Sequence, residues 1–258
     1  MKRALVVLTV FAVALPALAQ DMAGDWDVSR DPAKKTVLAF TTFDNGLSVA
    51  FRCIDGSFNA VIAGLPPSRE DRRTLELAFR DDEARPTMWT STTDSTVVVG
   101  DFPAPLAREF RQGGALSVTV PRGAADGRNL RYEVELPASG AAVDEALTAC
   151  ERPLVDPRDV DLEAIGASGL TGGVAWDRGP RPRYPSSRYA SGFVVTTCVT
   201  TPDGRLSDCV VEMEHPHDGR FGKATLDAAR RARVRNAEDR HQPVPVRRVS
   251  FRTFFRMQ

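Results

Sequence analysis

The first strong pattern along the chain is apolar and almost unbroken. Behind Lys2 and Arg3, residues 4–15 are nearly all hydrophobic, and Pro16-Ala17-Leu18-Ala19 then places small residues where a signal peptidase reads. This run is shorter than the roughly 20 residues a spanning helix needs. Residues 1–19 are therefore expected to be a secretory leader cleaved after Ala19, with retention as an N-terminal anchor as the alternative. No second apolar run of that kind follows, so the mature chain is expected to carry no stable membrane span and to reside in the periplasm.

From residue 22 onward the pattern shortens to β-branched and apolar runs. Candidate strands fall at 36–42, 47–55, 75–79, 88–91, 96–99, 116–120 and 131–136. Asp44-Asn45-Gly46, Asp55-Gly56, Pro66-Pro67 and Ala125-Asp126-Gly127 punctuate them as turns. Strands at this spacing predict an all-β, sandwich-like or barrel-like domain over 20–151. Short helices are expected at 105–111 and 141–150. Residues 152–179 hold Pro153, Pro157 and a Gly-rich stretch at 166–173, and read as a linker with one helical turn at 160–165.

Residues 180–258 show a different order. Two β runs, 192–199 and 209–211, flank Thr201-Pro202-Asp203-Gly204-Arg205, in which Pro presets φ and Gly accepts a positive value. A helix is expected over 220–235, with Phe221, Ala224, Ala228 and Ala232 as its buried stripe and arginines near its electronegative end. After Pro243-Val244-Pro245, a last strand alternates Val249, Phe251, Thr253 and Phe255 with Arg248, Ser250, Arg252 and Arg256. The predicted order is β-β-α-β, an α+β domain.

The four cysteines fit an oxidising compartment. Cys53–Cys150 and Cys198–Cys209 keep each bridge within one domain. Zinc is the alternative, but no two cysteines sit two to four residues apart as in the common ligand pairs. The second bridge makes a demand on register. With Asp203-Gly204 as a two-residue turn, opposed residue numbers total 407 and Cys198 faces Cys209. With a type I turn and Gly204 as a bulge they total 406, and the two cysteines point apart. The turn favours the second geometry, so a further irregularity is expected, for example near Asp208.

A formal net charge of zero hides an asymmetry. Residues 176–258 contain 16 Lys/Arg against 9 Asp/Glu, a net of +7, and residues 1–175 carry the compensating −7. Opposite signs suit either mutual attraction of the domains or an acidic partner for the basic half. The exported compartment argues against a nucleic-acid partner.

Residues 180–256 resemble the C-terminal domain of TonB, the energy transducer of the outer membrane. Pro182-Arg183-Tyr184-Pro185, the Thr-Pro-Asp-Gly-Arg turn, the Ala-rich helix and the Phe-rich final strand carry the resemblance, in that order. It implies capture of protein segments by strand pairing in TonB-type transport. Three departures stand against the complete transducer: a lasting transmembrane anchor, a long Pro/Lys/Glu-rich spacer and the family's aromatic-rich helix exit are all missing. Residues 24–151 are similar to the accessory domain of VasI-like type VI secretion proteins. This second resemblance rests on Trp26-Asp27-Val28, Phe51-Arg52-Cys53, the 75–79 strand with Trp89, and Ala149-Cys150. It implies a β-rich fold and brings no catalytic residue.

Candidate chemistry is sparse. His215-Pro216-His217-Asp218 has the form of a partial metal site without a visible third ligand, His241 sits in a polar stretch, and Asp81-Asp82-Glu83 reads as an acidic turn. No nucleophile elbow, zincin or phosphate-loop pattern occurs, so neither catalytic residues nor a cofactor are expected. Trp26 and Trp89 are expected in the core. The function expected is a periplasmic, non-catalytic protein-interaction protein with a partner in the periplasm or outer membrane. An accessory factor acting through the first domain is the alternative, and an enzyme with an unfamiliar site is a third reading. The last strand is the expected recognition edge, with Arg248, Ser250, Arg252, Phe254 and Arg256 as contact residues and the arginines on an exposed face that suits acidic peptides.

Overall fold

The computed structural model describes residues 24–165 and 169–257, so the leader expected at 1–19 lies outside the described residues. In the first domain the strands β1 Asp27–Asp31, β2 Thr36–Thr42, β3 Ser48–Ile54, β4 Ser57–Ala63, β5 Arg72–Phe79, β6 Arg85–Ser91, β7 Val98–Gly100, β8 Gly114–Val120 and β9 Leu130–Leu136 form one antiparallel sheet. Its order is β1-β2-β3-β4-β7-β6-β5-β8-β9. Local turn chemistry sets the hairpins. Asp55 and Gly56 take positive φ and Ile54 pairs with Ser57, the two-residue turn that Asp-Gly favours.

The β-rich character is as expected, but two stacked sheets are not found among the described residues. Instead the single sheet curls. The Asn45 side chain, in the β2–β3 turn, donates to the Glu133 carbonyl of β9 at 3.3 Å, and the Tyr132 hydroxyl donates to the Gly64 carbonyl beyond β4 at 3.2 Å. Two helices, α1 Pro103–Phe110 and α2 Ala141–Ala149, cover the apolar strand faces in place of a second sheet. Pro103 opens α1 at a position whose N–H would have no helical partner. Phe110 stands edge-on to both Phe51 and Phe79, at 5.4 and 4.8 Å between centroids. Trp26 and Trp89 are buried in the same core. Cys150, just past α2, bonds Cys53 of β3.

In the second domain β11 Ser191–Thr200 lies between β12 Leu206–His215 and β14 Arg248–Arg256. The helix α4 Phe221–Ala229 packs on one face, where Phe221 meets Phe255 at 4.6 Å and Tyr184 stands edge-on to both. The expected register irregularity is present. Thr200 pairs with Leu206 and Val199 with Ser207, but Thr197 pairs with Val210, and Asp208 takes a positive φ of 47° within the extra residue's span. That bulge brings Cys198 to Cys209, which are bonded. Gly204 is required at its turn, because its φ is +77° and an added Cβ would lie 2.4 Å from the Val234 carbonyl oxygen.

Two expectations are corrected here. The helix ends at Ala229, and Arg233–Asn236 is a strand, β13. Ala232 and Val234 are buried while Arg233 and Arg235 are not, so the apolar spacing has already changed from helical to alternating. The partner of β13 is β10 Val174–Arg178, within the stretch read as linker. The remainder of that stretch is also packed. Its helix α3 Asp159–Glu163 is tied to α1 by Arg108, whose Nε and Nη2 reach the Asp159 carboxylate at 2.5 and 2.6 Å.

The face of the β11 sheet opposite α4 rests on the first domain. Phe193, Val195 and Met213 form an apolar cluster with Val99, Val61 and Phe102. This explains why β11 is buried along nearly its whole length. Polar contacts cross the same junction. Arg158 joins Glu212 at 2.9 Å, Arg152 donates to the Val211 carbonyl at 3.1 Å, and Ser57 donates to the Glu214 carbonyl at 3.4 Å. The pairs Arg248–Asp161, Arg252–Asp101 and Arg256–Asp71 join bases of the basic half to acids of the acidic half, so the opposite charges are partly spent on each other.

Candidate interaction edge

In the second domain's main sheet, β12 and β14 are the outer strands. The outward side of β12 is turned to the first domain through the Arg152 and Ser57 contacts. That leaves β14. Antiparallel pairing alternates residues that bond their neighbour with residues whose N–H and C=O point away. Ser250 donates outward to the Gly169 carbonyl at 2.7 Å, and the Thr171 hydroxyl donates to the Arg248 carbonyl at 3.1 Å. Arg252 and Phe254 share that outward phase, and among the described residues nothing bonds their outward backbone groups. The edge is therefore closed at its start by 169–171, and from Arg252 onward no described residue bonds it. Gly169 permits the closure, since its φ is +73° and a Cβ there would lie 2.1 Å from the Ser250 carbonyl oxygen.

The side chains on this phase differ from the expected exposed arginine face. Arg248 contacts Asp161 at 3.3 Å with its side chain 14% exposed. Arg252 is ion-paired with Asp101, and these side chains are only 11% and 2% exposed. Arg256 is exposed but paired with Asp71 at 2.6 Å. The cause is the junction itself: the face of β14 opposite Val249, Phe251 and Phe255 is turned toward the first domain, whose acidic groups meet the arginines. Arg248 and Arg252 are thus withdrawn from an exposed face, whereas Arg256 keeps an exposed side chain. Ser250 already spends its donor on Gly169. Phe254 is half-exposed, with its ring 6.1 Å from that of Phe193.

Beside Arg252 lies a cavity of about 290 Å³ between β6, α1 and α3. Met88, Phe102, Leu106, Leu162 and Ile165 make its wall mainly apolar, and Asp101 and Arg252 both border it. Arg252 engages Oδ2 of Asp101, whereas Oδ1 is buried without a hydrogen-bond partner. Burial pushes the Asp101 carboxyl above the ordinary carboxylate range, while the Arg252 hydrogen bond and the charges of Arg252 and Arg72 pull against it. Asp101 escaped the reading of the sequence. It sits in Gly100-Asp101-Phe102-Pro103, which has only the signature of a turn before a helix.

Among the described residues no group of three His, Cys, Asp or Glu side chains is arranged to hold a metal ion. His215 lies at the junction, with its ring 5.4 Å from that of Phe193, and His241 and Asp81-Asp82-Glu83 are exposed. Among the described residues no helix is long and apolar enough to cross a membrane.

No protein-family model and no curated protein matches the chain, so the resemblance of residues 24–151 to VasI-like proteins gains no support there. Among solved structures, the solution NMR structure of the Pseudomonas aeruginosa TonB C-terminal domain is similar at 22% identity and a TM-score of 0.30, covering 34% of this chain and 90% of that one. The chain is thus a weak structural neighbour of a TonB C-terminal domain, at a score that does not establish a shared fold.

Proposed function

We propose that this chain is an exported, non-catalytic protein-interaction protein that captures an extended segment of an envelope partner as an added strand along β14. One observation carries the reading: among the described residues nothing bonds the outward backbone groups of Arg252 and Phe254, on a strand whose preceding outward groups, at Arg248 and Ser250, already bond another segment. An edge that pairs with 169–171 has the geometry to pair with a visitor, and main-chain bonds supply the affinity in such additions. The two disulfides agree with an oxidising compartment, and the leader expected at 1–19 supports a partner in the periplasm or on the outer membrane. Participation in TonB-type transport is the finer form of this proposal.

The test is a peptide display selection on the mature chain, repeated on Phe254→Pro. Proline removes an outward donor that is unbonded in the free protein, so the fold should survive by circular dichroism. Selected peptides should lose binding to the folded Phe254→Pro chain. Retention of full affinity would exclude β14 as the recognition edge.

A further inference from the structure

We infer that a cleft at the start of β5 holds a carboxylate joined to a small apolar group, with Arg73 as its anchor and Arg122 as a second contact. The site lies in the first domain and does not rest on strand capture by β14. Arg73 is the first inward-facing residue of β5, on the buried face with Leu75 and Leu77 and opposite Trp89 of β6. It is only 7% exposed, yet its side chain makes a single hydrogen bond, from Nη1 to the Pro66 carbonyl at 2.9 Å. Among the described residues no carboxylate pairs with it. A buried cation without a counter-ion is costly. The bond to Pro66 sets the guanidinium at the wall of a cleft of about 520 Å³, lined by Pro66, Pro67, Val120, Pro121, Arg122 and Arg73 itself. Nε and Nη2 have no partner among the described residues but are not sealed from solvent, and the accessible space that Arg73 borders is this cleft. Its volume falls within the roughly 300–1,000 Å³ of small-ligand pockets.

Charge and wall select the occupant. A guanidinium presents its N–H groups as a planar fork that matches a carboxylate. Glu70 also borders the cleft, near enough to act on the charge of Arg73 but not paired with it. The charged residues of the lining are thus Arg73, Arg122 and Glu70, a net of +1. That suits one carboxylate better than a phosphate group, which carries about −1.5 to −2 near neutral pH. Pro66, Pro67, Val120 and Pro121 give an apolar wall that loses little side-chain freedom on contact, so the group behind the carboxylate is apolar.

The experiment titrates the disulfide-bonded mature chain with N-acetylvaline, N-acetylvalinamide, inorganic phosphate and the peptide Ala-Ala-Ala-Val, followed by backbone amide NMR shifts. Both carboxylates should bind and move the amides of Ser68 and Gly123, which line the cleft. The neutral amide and phosphate should bind about tenfold more weakly or worse, the worth of a hydrogen bond to a charged group. A peptide tighter than N-acetylvaline assigns the site to chain ends, and a peptide no tighter assigns it to free acids. Arg73→Met should weaken N-acetylvaline about tenfold. Because Arg73 is buried, two exposed positions are tested beside it. Arg122→Asn, which suits the positive φ of 56° there, should weaken binding about two- to threefold, and Glu70→Gln should tighten it by about the same factor. Equal affinity for acid and amide, phosphate binding as tightly as the acid, no binding of either carboxylate, or indifference to both Arg122→Asn and Glu70→Gln would each overturn the inference. None of these results bears on β14.

Discussion

Arg252 of β14 and Asp101, the residue that follows β7, meet across the domain junction with both side chains almost withdrawn from water. They are 151 positions apart in the chain. Around them the junction combines an apolar contact, led by Phe193, Val195 and Val99, with the charge pairs Arg158–Glu212 and Arg256–Asp71. The exposed pair at Arg256 contributes little. The buried pair is different in kind, because losing one partner strands the other.

Arg252→Leu should therefore destabilise the protein by about 3–5 kcal/mol, the usual penalty for breaking a buried pair. Combining it with Asp101→Leu should restore most of that loss, since no charge is then left buried alone. Urea unfolding of the two single variants and the double variant measures the coupling. Additive losses in the double variant would show that the pair is not a unit.

The two disulfides should differ in weight. Cys53–Cys150 closes a loop of 97 positions and Cys198–Cys209 one of 11. In the chain-entropy picture these constrain the unfolded state by about 4–5 and about 3 kcal/mol. Replacing each pair by alanine and comparing denaturation midpoints gives the order. A larger loss from the short loop would mean that native packing of Cys198, not loop closure, dominates.

His215 should make stability depend on pH. Burial, and then the positive charges of Arg52 and His217, hold its imidazole below the ordinary value. The unfolded chain takes up this proton first, so the stabilisation is complete above the unfolded value of about 6.5 and is lost as pH falls through the lower folded value. Unfolding free energy should decline on acidification below about pH 6.5, and His215→Phe should flatten that decline. Because Arg52 belongs to β3 and His215 to β12, loss of contacts between the domains should accompany it. An unchanged slope in His215→Phe would assign the effect to other groups.

What the sequence made legible was local. Asp55-Gly56 and Pro202-Asp203-Gly204 each fix a hairpin within a few residues, and the demand that Cys198 reach Cys209 forecast the bulge at Asp208. Strand β1 was missed because Asp27-Val28-Ser29-Arg30-Asp31 buries none of its residues fully and takes its place from pairing with β2. Strand β4 was missed although it is the second arm of the Asp55-Gly56 hairpin. Asp101 and its cavity could not be read, since they depend on how the two sheets meet. The same meeting turned the arginines of β14 inward, whereas their alternation with Val249 and Phe251 had shown only that they lie on a common face.

The segment 169–171 gives β14 a fixed frame. By holding the outward groups of Arg248 and Ser250, it leaves room for a visitor only from Arg252 to the strand's end at Arg256. A segment captured as proposed would meet a stop at a defined position, and its residues would be read in one phase rather than several. The same stop shortens the surface on which two copies of this chain could stack edge to edge, and so limits self-association. Length, phase and restraint from polymerising all depend on one glycine approaching one strand.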